Sequence, residues 1–167
     1  MAGVFIVLGA LGVIVLVVRL VRHSPSRAFG VTARDGALIL AVAVILVLTL
    51  LSPTDANELE PSIRLVPFED LRDALTGVRD LGLAIGELVG NVVIFVPLGM
   101  ALRWRFPFLG VMQTAGLTLA LSIGIELLQA LTGNGRWPET TDVIMNATGG
   151  LIGAAVMGMF SQPERQA

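Results

Sequence analysis

The chain contains no cysteine, no lysine and no tyrosine, and His23 is its only histidine. Without cysteine there is no disulfide, no thiolate metal site and no cysteine nucleophile. The single histidine lies in an arginine-rich stretch, where we expect it to be solvated. The sequence also holds no Ser-His-Asp set and no glycine-rich phosphate loop. Cysteine chemistry is therefore excluded, and no cluster of histidines supports histidine-based chemistry.

Charge is also scarce in this chain. Only 14% of its 167 residues are charged, whereas 54% are hydrophobic, and the mean hydropathy is +0.83. An average soluble domain carries about 25% charged residues. The apolar residues form long uninterrupted runs, which favours membrane helices over the alternating strands of a barrel. We predict an all-α polytopic membrane helix bundle, formed by a single domain over residues 1–167. The arginine, alanine, valine and glycine bias is typical of a GC-rich bacterial genome.

Five apolar segments approach the ~20 residues that are needed to cross ~30 Å of hydrocarbon. The second is short, and the third contains Pro97 at its centre, where a helix break or a re-entrant path is compatible with the sequence. We therefore expect about five transmembrane helices in a bacterial cell membrane. The segments are Ala2–Val18, Gly36–Leu51, about Leu83–Leu102, Phe106–Leu131 and Val143–Phe160.

The distribution of arginine predicts the orientation of these segments. Cytoplasmic loops carry an excess of basic residues. Seven arginines lie in the first connection, in the third connection and after the last segment, so we place those regions inside. The N-terminus is then outside and the C-terminus is cytoplasmic. These seven residues are Arg19, Arg22, Arg27, Arg34, Arg103, Arg105 and Arg165.

The longest connection, residues 52–82, contains one segment with helical periodicity. Five apolar residues recur at helical spacing between Phe68 and Leu81, and acidic residues lie between them. This pattern predicts a short external amphipathic helix. The helix lies on the outer membrane face or caps the bundle, and its role is either packing on the span ends or substrate gating.

Glu126 is a carboxylate within an otherwise apolar run, and it is the most informative residue of the chain. Ser122, Glu126 and Gln129 follow each other at i, i+4 and i+7, so they share one face of a helix. A charge at the centre of a bilayer costs about 2.5–3.5 kcal/mol on insertion scales, and such residues usually face a bundle interior or a wet cavity. This stripe is therefore a candidate site.

Neighbouring segments carry further polar residues at a similar depth. Asp142 and Asn146 lie at i and i+4 in the last segment, Asn91 lies in the third, and Arg136 lies in the loop above them. At ~1.5 Å per residue, all of them fall in the outer half of the bilayer. We predict a shared outward-facing binding site. The alternative is that these residues only join helices, since interhelical hydrogen bonds contribute ~0.6 kcal/mol on average in one membrane protein.

Four strings in this order resemble the VanZ-like family of small bacterial membrane proteins. They are Leu65–Phe68, Asn91–Gly99, Ser122–Gln129 and, after Arg136, Thr141–Gly153. The resemblance covers residues 65–153 and implies a link to glycopeptide resistance, because the family's namesake is associated with low-level resistance to the lipoglycopeptide teicoplanin. It carries over to Asn91, Phe95, Pro97, Gly99, Ser122, Glu126, Gln129, Arg136, Asp142, Asn146 and Gly150.

Three functional hypotheses follow from the residues and the resemblance. The first is an envelope protein that binds a membrane lipid, a lipid-linked cell-wall precursor or a lipoglycopeptide, and that does not bind nucleic acid. The second is a membrane enzyme with Glu126 and Asp142 as a catalytic acid/base pair, or as Mg²⁺ or Ca²⁺ ligands with nearby amides. The third, a transporter, is disfavoured because the inner halves of the segments offer almost nothing polar. We predict no cofactor and no metal site, and the sequence does not determine the oligomeric state.

The predicted orientation can be tested with a reporter enzyme that is active only outside the cytoplasm. Fused to the C-terminus, this reporter should be inactive, because the seven inner arginines keep that end in the cytoplasm. The same reporter inserted after Thr54 should be active. Activity of the C-terminal fusion contradicts the orientation.

Overall fold

The computed structural model describes residues 27–50, 64–132 and 138–160 of the chain. These residues form five helices and no strand, apart from an isolated parallel bridge between Arg64 and Glu139. The predicted all-α class is therefore confirmed for this part, whereas the first predicted segment, Ala2–Val18, lies outside it. The helices are α1 (Arg27–Leu50), α2 (Glu69–Leu75), α3 (Leu81–Arg105), α4 (Val111–Thr132) and α5 (Thr140–Phe160).

Three of the described helices are long and apolar enough to cross a membrane. They are Leu81–Arg105, Val111–Leu131 and Thr140–Phe160, which correspond to the third, fourth and fifth predicted segments. Helix α1 contains most of the second predicted segment but begins earlier, at Arg27. The helices indicate a membrane protein, and the total of five spans stays a prediction.

Helix α3 is continuous through Pro97, so a helix break at this residue, which the sequence made plausible, is wrong. Proline has no amide to donate, so it removes one hydrogen bond, to the carbonyl of Val93. Pro97 is buried within the bundle, and neighbouring helices commonly allow a membrane helix to continue through proline. The helix begins at Leu81 because the Asp80 carboxylate accepts a hydrogen bond from the amide of Leu83 at 2.8 Å.

Helices α3 and α5 form the most extensive interface among the described helices. A Cβ on Gly99 would overlap the carbonyl oxygen of Gly150, and a Cβ on Gly153 would overlap that of Val96. Gly149 lies against the carbonyl of Val92 in the same way. Glycine thus lets the two backbones touch, which is a common way to associate membrane helices.

Helix α1 packs on the opposite side of α3 through small and aliphatic side chains. Ala37, Ala41 and Ile45 recur every four residues and are at most 2% exposed. They belong to one apolar cluster with Phe95 and Leu98 of α3. An ion pair between Asp35 and Arg105 joins the start of α1 to the end of α3. The two helices therefore run in opposite directions.

The predicted amphipathic helix is shorter than the periodicity suggested. Helix α2 ends at Leu75, Gly77 follows in the left-handed region with φ 79°, and Asp80 already caps α3. The helix packs partly on the span ends, since Ala74 is 7% exposed and Leu71 lies beside Ala84 and Leu88 of α3, whereas Leu75 and Val78 are 70% and 77% exposed. Their exposure is compatible with the alternative placement on the membrane face, which stays a prediction.

We predict that Gly153→Ala destabilises the bundle. The new Cβ would meet backbone atoms of Val96 and Met100, which cannot move aside without separating α3 from α5. Overpacking of this kind typically costs about 1–3 kcal/mol. Thermal unfolding of the detergent-solubilised protein measures the loss.

Gly158→Ala is the matched control for this prediction. Gly158 lies on the same helix, but its nearest neighbours are Arg103 side-chain atoms at an ordinary contact distance of 3.9 Å. The melting temperature of the Gly158→Ala variant should stay near that of the unaltered protein. Equal behaviour of the two variants contradicts a tight interface at Gly153.

Candidate functional site

The start of α3, the end of α4, the start of α5 and the segment 64–80 meet at one end of the bundle, which we call the α2 end. Main-chain hydrogen bonds hold the segment there. The Arg64 amide donates to the Pro138 carbonyl at 3.2 Å, and the Thr140 amide donates to the Arg64 carbonyl at 3.1 Å. The Phe68 amide donates to the hydroxyl of Thr141 at 2.8 Å. Phe68 itself has a left-handed backbone with φ 61°.

Asn91 and Asp142 form the contact between α3 and α5 at this end. The Asn91 amide nitrogen Nδ2 donates to Oδ1 of Asp142 at 2.5 Å. Asp142 lies in the first turn of α5, where the positive end of the helix dipole favours a carboxylate. The sequence predicted that these two residues share a region, and the structure brings them into direct contact.

Ser122, Glu126 and Asn146 join α4 to α5. Nδ2 of Asn146 donates to Oγ of Ser122 at 2.8 Å inside the bundle. Glu126 is 7% exposed, and its Oε2 accepts a hydrogen bond from the amide of Glu139 at 3.0 Å. The Glu126 carboxylate therefore lies against the backbone just before α5. This end of α5 presents unsatisfied amides and suits an anion.

Gln129 is directed to a different neighbour. Its Nε2 donates to the carbonyl of Thr49 at 2.9 Å, which links α4 to α1. This contact favours a helix-joining role for Gln129.

The structure brings a group of charged residues to the α2 end that sequence reasoning did not include in the site. Asp70 forms ion pairs with both Arg64 and Arg79, and Arg79 also pairs with Glu87 at 2.8 Å. Arg64 lies 3.9 Å from Glu139. Glu87 precedes Asn91 by four residues, so helical spacing could have identified it, whereas Asp70 depends on how the loop folds.

A small pocket opens between these residues, with room for about one water molecule. Its walls come from α2, the first turns of α3 and the start of α5. A single hydroxyl or ammonium group of a ligand fits such a space, whereas a whole headgroup does not. The lining residues are Asp70, Leu71, Ala84, Glu87, Leu88, Glu139, Thr141 and Asp142.

Glu139 is a titratable group that this pocket perturbs. It lies just outside the α5 span, and its pKa is raised from 4.5 to about 7. Burial is the largest cause, because it disfavours the charged form, and the Asp142 carboxylate adds to the effect. Arg64 and Arg79 act in the opposite direction without cancelling it. A carboxyl group with a pKa near 7 can exchange a proton near neutral pH.

Two further predictions from the sequence concern Arg136 and the catalytic pair of Glu126 and Asp142. Arg136 lies outside the described residues, and the arginines that form ion pairs at the α2 end, among the residues that the structure describes, are Arg64 and Arg79. Glu126 and Asp142, the expected catalytic pair, have separate partners, namely the amide of Glu139 and the side chain of Asn91. Among the described residues, no group of three or more histidine, aspartate or glutamate side chains is arranged to hold a metal ion.

Helix α4 also carries two buried threonines in its first half. Thr114 and Thr118 extend the buried polar face and are fully inaccessible to solvent. Their hydroxyls donate to the carbonyls of Gly110 and Ala115, within or next to their own helix. Thr118 also fills the space beside Gly150. These threonines therefore pack α4 against α5.

Comparison with known proteins gives one family and one relative. The model of the VanZ/LLP1 family matches residues 37–161, which is most of the chain. Protein VanZ of Enterococcus faecium is 32% identical over 80 residues, which are 48% of this chain and 49% of that protein. The match thus spans about half the length of this relative. No solved structure matches the chain.

We predict that stability falls as the pH rises from about 4.5 to about 7. Because the pKa of Glu139 is higher in the folded protein, at about 7 against an ordinary 4.5, the folded state binds more protons in this window. The stabilisation by protonated Glu139 is thus complete below pH 4.5 and is lost above a pH of about 7. Melting temperatures across this range should show the decline, and Glu139→Gln should reduce it.

Glu69→Gln on α2 is the control for the pH experiment, because Glu69 is not among the residues that line the pocket. It should leave the pH dependence as it is. A protonated-carboxyl band in infrared spectra that titrates near pH 7 and disappears in Glu139→Gln would assign the group directly. An unchanged band in that variant contradicts the assignment.

Proposed function

Because the chain belongs to the VanZ/LLP1 family, we propose that it is an envelope membrane protein that binds an amphiphilic ligand at the α2 end. The ligand is a lipid-linked cell-wall precursor or a lipoglycopeptide. The observation that carries the proposal is the combination of a charged pocket with exposed apolar side chains around it. Leu65, Leu75 and Val78, in the segment over the pocket, are 73%, 70% and 77% exposed.

The chemistry of the pocket suits the polar part of such a ligand. The carboxylates of Asp142, Glu139 and Glu87 accept hydrogen bonds from hydroxyl or ammonium groups, and Arg64 and Arg79 donate to carbonyl or phosphate oxygens. The pocket admits only a small group, so the rest of the headgroup would lie over α2. The hydrocarbon part would then contact the exposed apolar residues and the membrane.

The buried polar residues have supporting roles in this proposal. Glu126 holds the amide of Glu139 and thereby positions the residue that lines the pocket. The Ser122–Asn146 hydrogen bond fixes α4 against α5 one turn deeper. We assign direct ligand contact to Asp142 and Glu139, and positioning to Glu126, Ser122 and Asn146.

A role in glycopeptide resistance or envelope homeostasis is part of the same proposal. It is supported by family membership and by the similarity to Protein VanZ of Enterococcus faecium. Binding at the α2 end would act on lipoglycopeptides or cell-wall precursors only if this end faces outward. The proposal therefore includes the orientation derived from the arginines, with the N-terminus outside and the C-terminus in the cytoplasm.

A membrane enzyme that acts on a lipid-linked substrate is the second candidate, and the raised pKa of Glu139 favours it. The sequence suggested Glu126 and Asp142 as the acid/base pair. The geometry adds Glu139, a carboxyl group with a pKa of about 7 beside Asp142. In this candidate, Glu139 transfers the proton, burial and the nearby Asp142 carboxylate keep its pKa high, and Glu126 positions Glu139.

Asp142→Asn tests the binding function. Asparagine retains an oxygen that can accept from Asn91, so the fold should persist, whereas the negative charge in the pocket is lost. We expect roughly tenfold weaker binding of fluorescently labelled teicoplanin to the protein in nanodiscs, since a hydrogen bond to a charged group contributes about 1.5–3 kcal/mol. A glycopeptide without the acyl chain should bind more weakly to both proteins.

Asp73→Asn is the matched control, because it removes a carboxylate from α2 that does not line the pocket. It should bind labelled teicoplanin normally and leave the susceptibility of an expressing bacterium unchanged. If Asp142→Asn also binds normally, the binding site is misplaced. Conversion of a polyprenyl-linked cell-wall precursor by the unaltered protein, lost in Glu139→Gln with binding retained, would favour the enzyme.

A further inference from the structure

Three arginines gather at the end of the bundle opposite the α2 end, where α1 begins and α3 ends. We call this region the arginine end and define it by Arg34, Arg103 and Arg105 with Asp35 and Trp104. The proposed function at the α2 end assigns no role to this region. Its charged groups are far from balanced, because one carboxylate stands against three guanidinium groups.

The three arginines differ in how they are partnered. Arg105 donates from Nε to the carboxylate of Asp35. The Nε atoms of Arg34 and Arg103 are buried, and neither has a hydrogen-bond partner among the residues that the structure describes. A buried charged donor without an acceptor is unfavourable. Two of the three groups therefore lack an anion that their chemistry requires.

Helix packing holds both unpartnered guanidinium groups in place. The Arg34 guanidinium lies 6.0 Å from the ring centroid of Trp104, within the range of a cation–π contact. The Arg103 side chain extends along α5, where it is the nearest neighbour of Gly158. The donors are thus fixed at the membrane-facing rim of the bundle rather than carried on mobile chains.

The surroundings of the arginine end are apolar and exposed. Phe108, Met159 and Phe160 are 80%, 73% and 45% exposed. Met159 and Phe160 lie one and two residues beyond Gly158, and Phe108 follows the end of α3. A free inorganic anion would make no use of this surface, whereas the acyl chains of a lipid would cover it.

We propose that Arg34 and Arg103 bind the phosphate groups of anionic phospholipids. Guanidinium groups match phosphate through paired N–H donors, and basic pockets between membrane helices commonly hold anionic headgroups. Because both side chains are only partly buried, the phosphate contacts their terminal guanidinium nitrogens, while the Nε atoms stay covered. Arg105 takes no part, because Asp35 already occupies it. The site is independent of ligand binding at the α2 end.

Quenching of Trp104 by brominated lipids tests this proposal. In a Trp137→Phe background Trp104 is the only tryptophan, and it lies beside Arg34. Comparison of brominated phosphatidylglycerol with brominated phosphatidylcholine in vesicles gives their relative affinities. We expect phosphatidylglycerol to be preferred by about fivefold, which corresponds to ~1 kcal/mol for a basic residue near anionic lipid.

Charge-preserving variants separate a site from general attraction to the membrane surface. Arg34→Lys and Arg103→Lys keep the charge but remove the Nε donor and the planar fork. Each should reduce the preference for phosphatidylglycerol about twofold or more, and the double variant should reduce it to nearly one. Arg105→Lys should leave it unchanged. Circular dichroism and size-exclusion chromatography confirm that each variant is folded.

Three outcomes would overturn the proposal. An unchanged preference in the Arg34→Lys, Arg103→Lys double variant would show that only net charge matters. An equal loss in Arg105→Lys would show that the two unpartnered arginines are not distinguished. Full competition by millimolar inorganic phosphate would assign the donors to a free anion instead of a lipid. Teicoplanin binding at the α2 end is measured separately, so failure of either proposal leaves the other intact.

Discussion

The close approach of α3 and α5 is the constraint on which the rest of the structure depends. Gly99 meets Gly150, and Gly153 meets the backbone of Val96, so the two backbones touch at positions where any side chain would overlap. On α5, Gly150 and Gly153 lie on the same face as Asp142. The backbone contact therefore also sets the register in which Asp142 meets Asn91. A packing requirement in the middle of the bundle thus fixes the geometry of polar residues at its end.

The α2 end shows how charge can be kept at the edge of a low-dielectric bundle. Asp70 is shielded by two arginines, whereas Glu139 is more distant from its arginine and closer to another carboxylate. The two acids therefore differ: Asp70 forms two ion pairs, whereas Glu139 has a pKa of about 7 and exchanges its proton near neutral pH. Such separation of neighbouring carboxyl groups into paired and titrating members is typical of sites with a function.

The sequence predicted features that depend on local periodicity or composition. The helical class, the last three spans and the contact of the Ser122 stripe with α5 follow from helical spacing and are found in the structure. Features that depend on tertiary packing were not predictable. Pro97 stays helical because of its neighbours, Gly77 ends α2 early, and Gln129 reaches α1 instead of α5. Asp70 entered the site only through the fold of a loop that the sequence does not specify.

The parallel bridge between Arg64 and Glu139 anchors the loop at the α2 end without using the side chains that give this end its charge. The two hydrogen bonds that hold residue 64 against residues 138 and 140 use main-chain atoms alone. The side chains at positions 64 and 139 are therefore free to change in charge and length while the loop stays anchored. The same scaffold could accept pockets of different electrostatic character, so that ligand preference can diverge within one architecture without any change in how the helices are assembled.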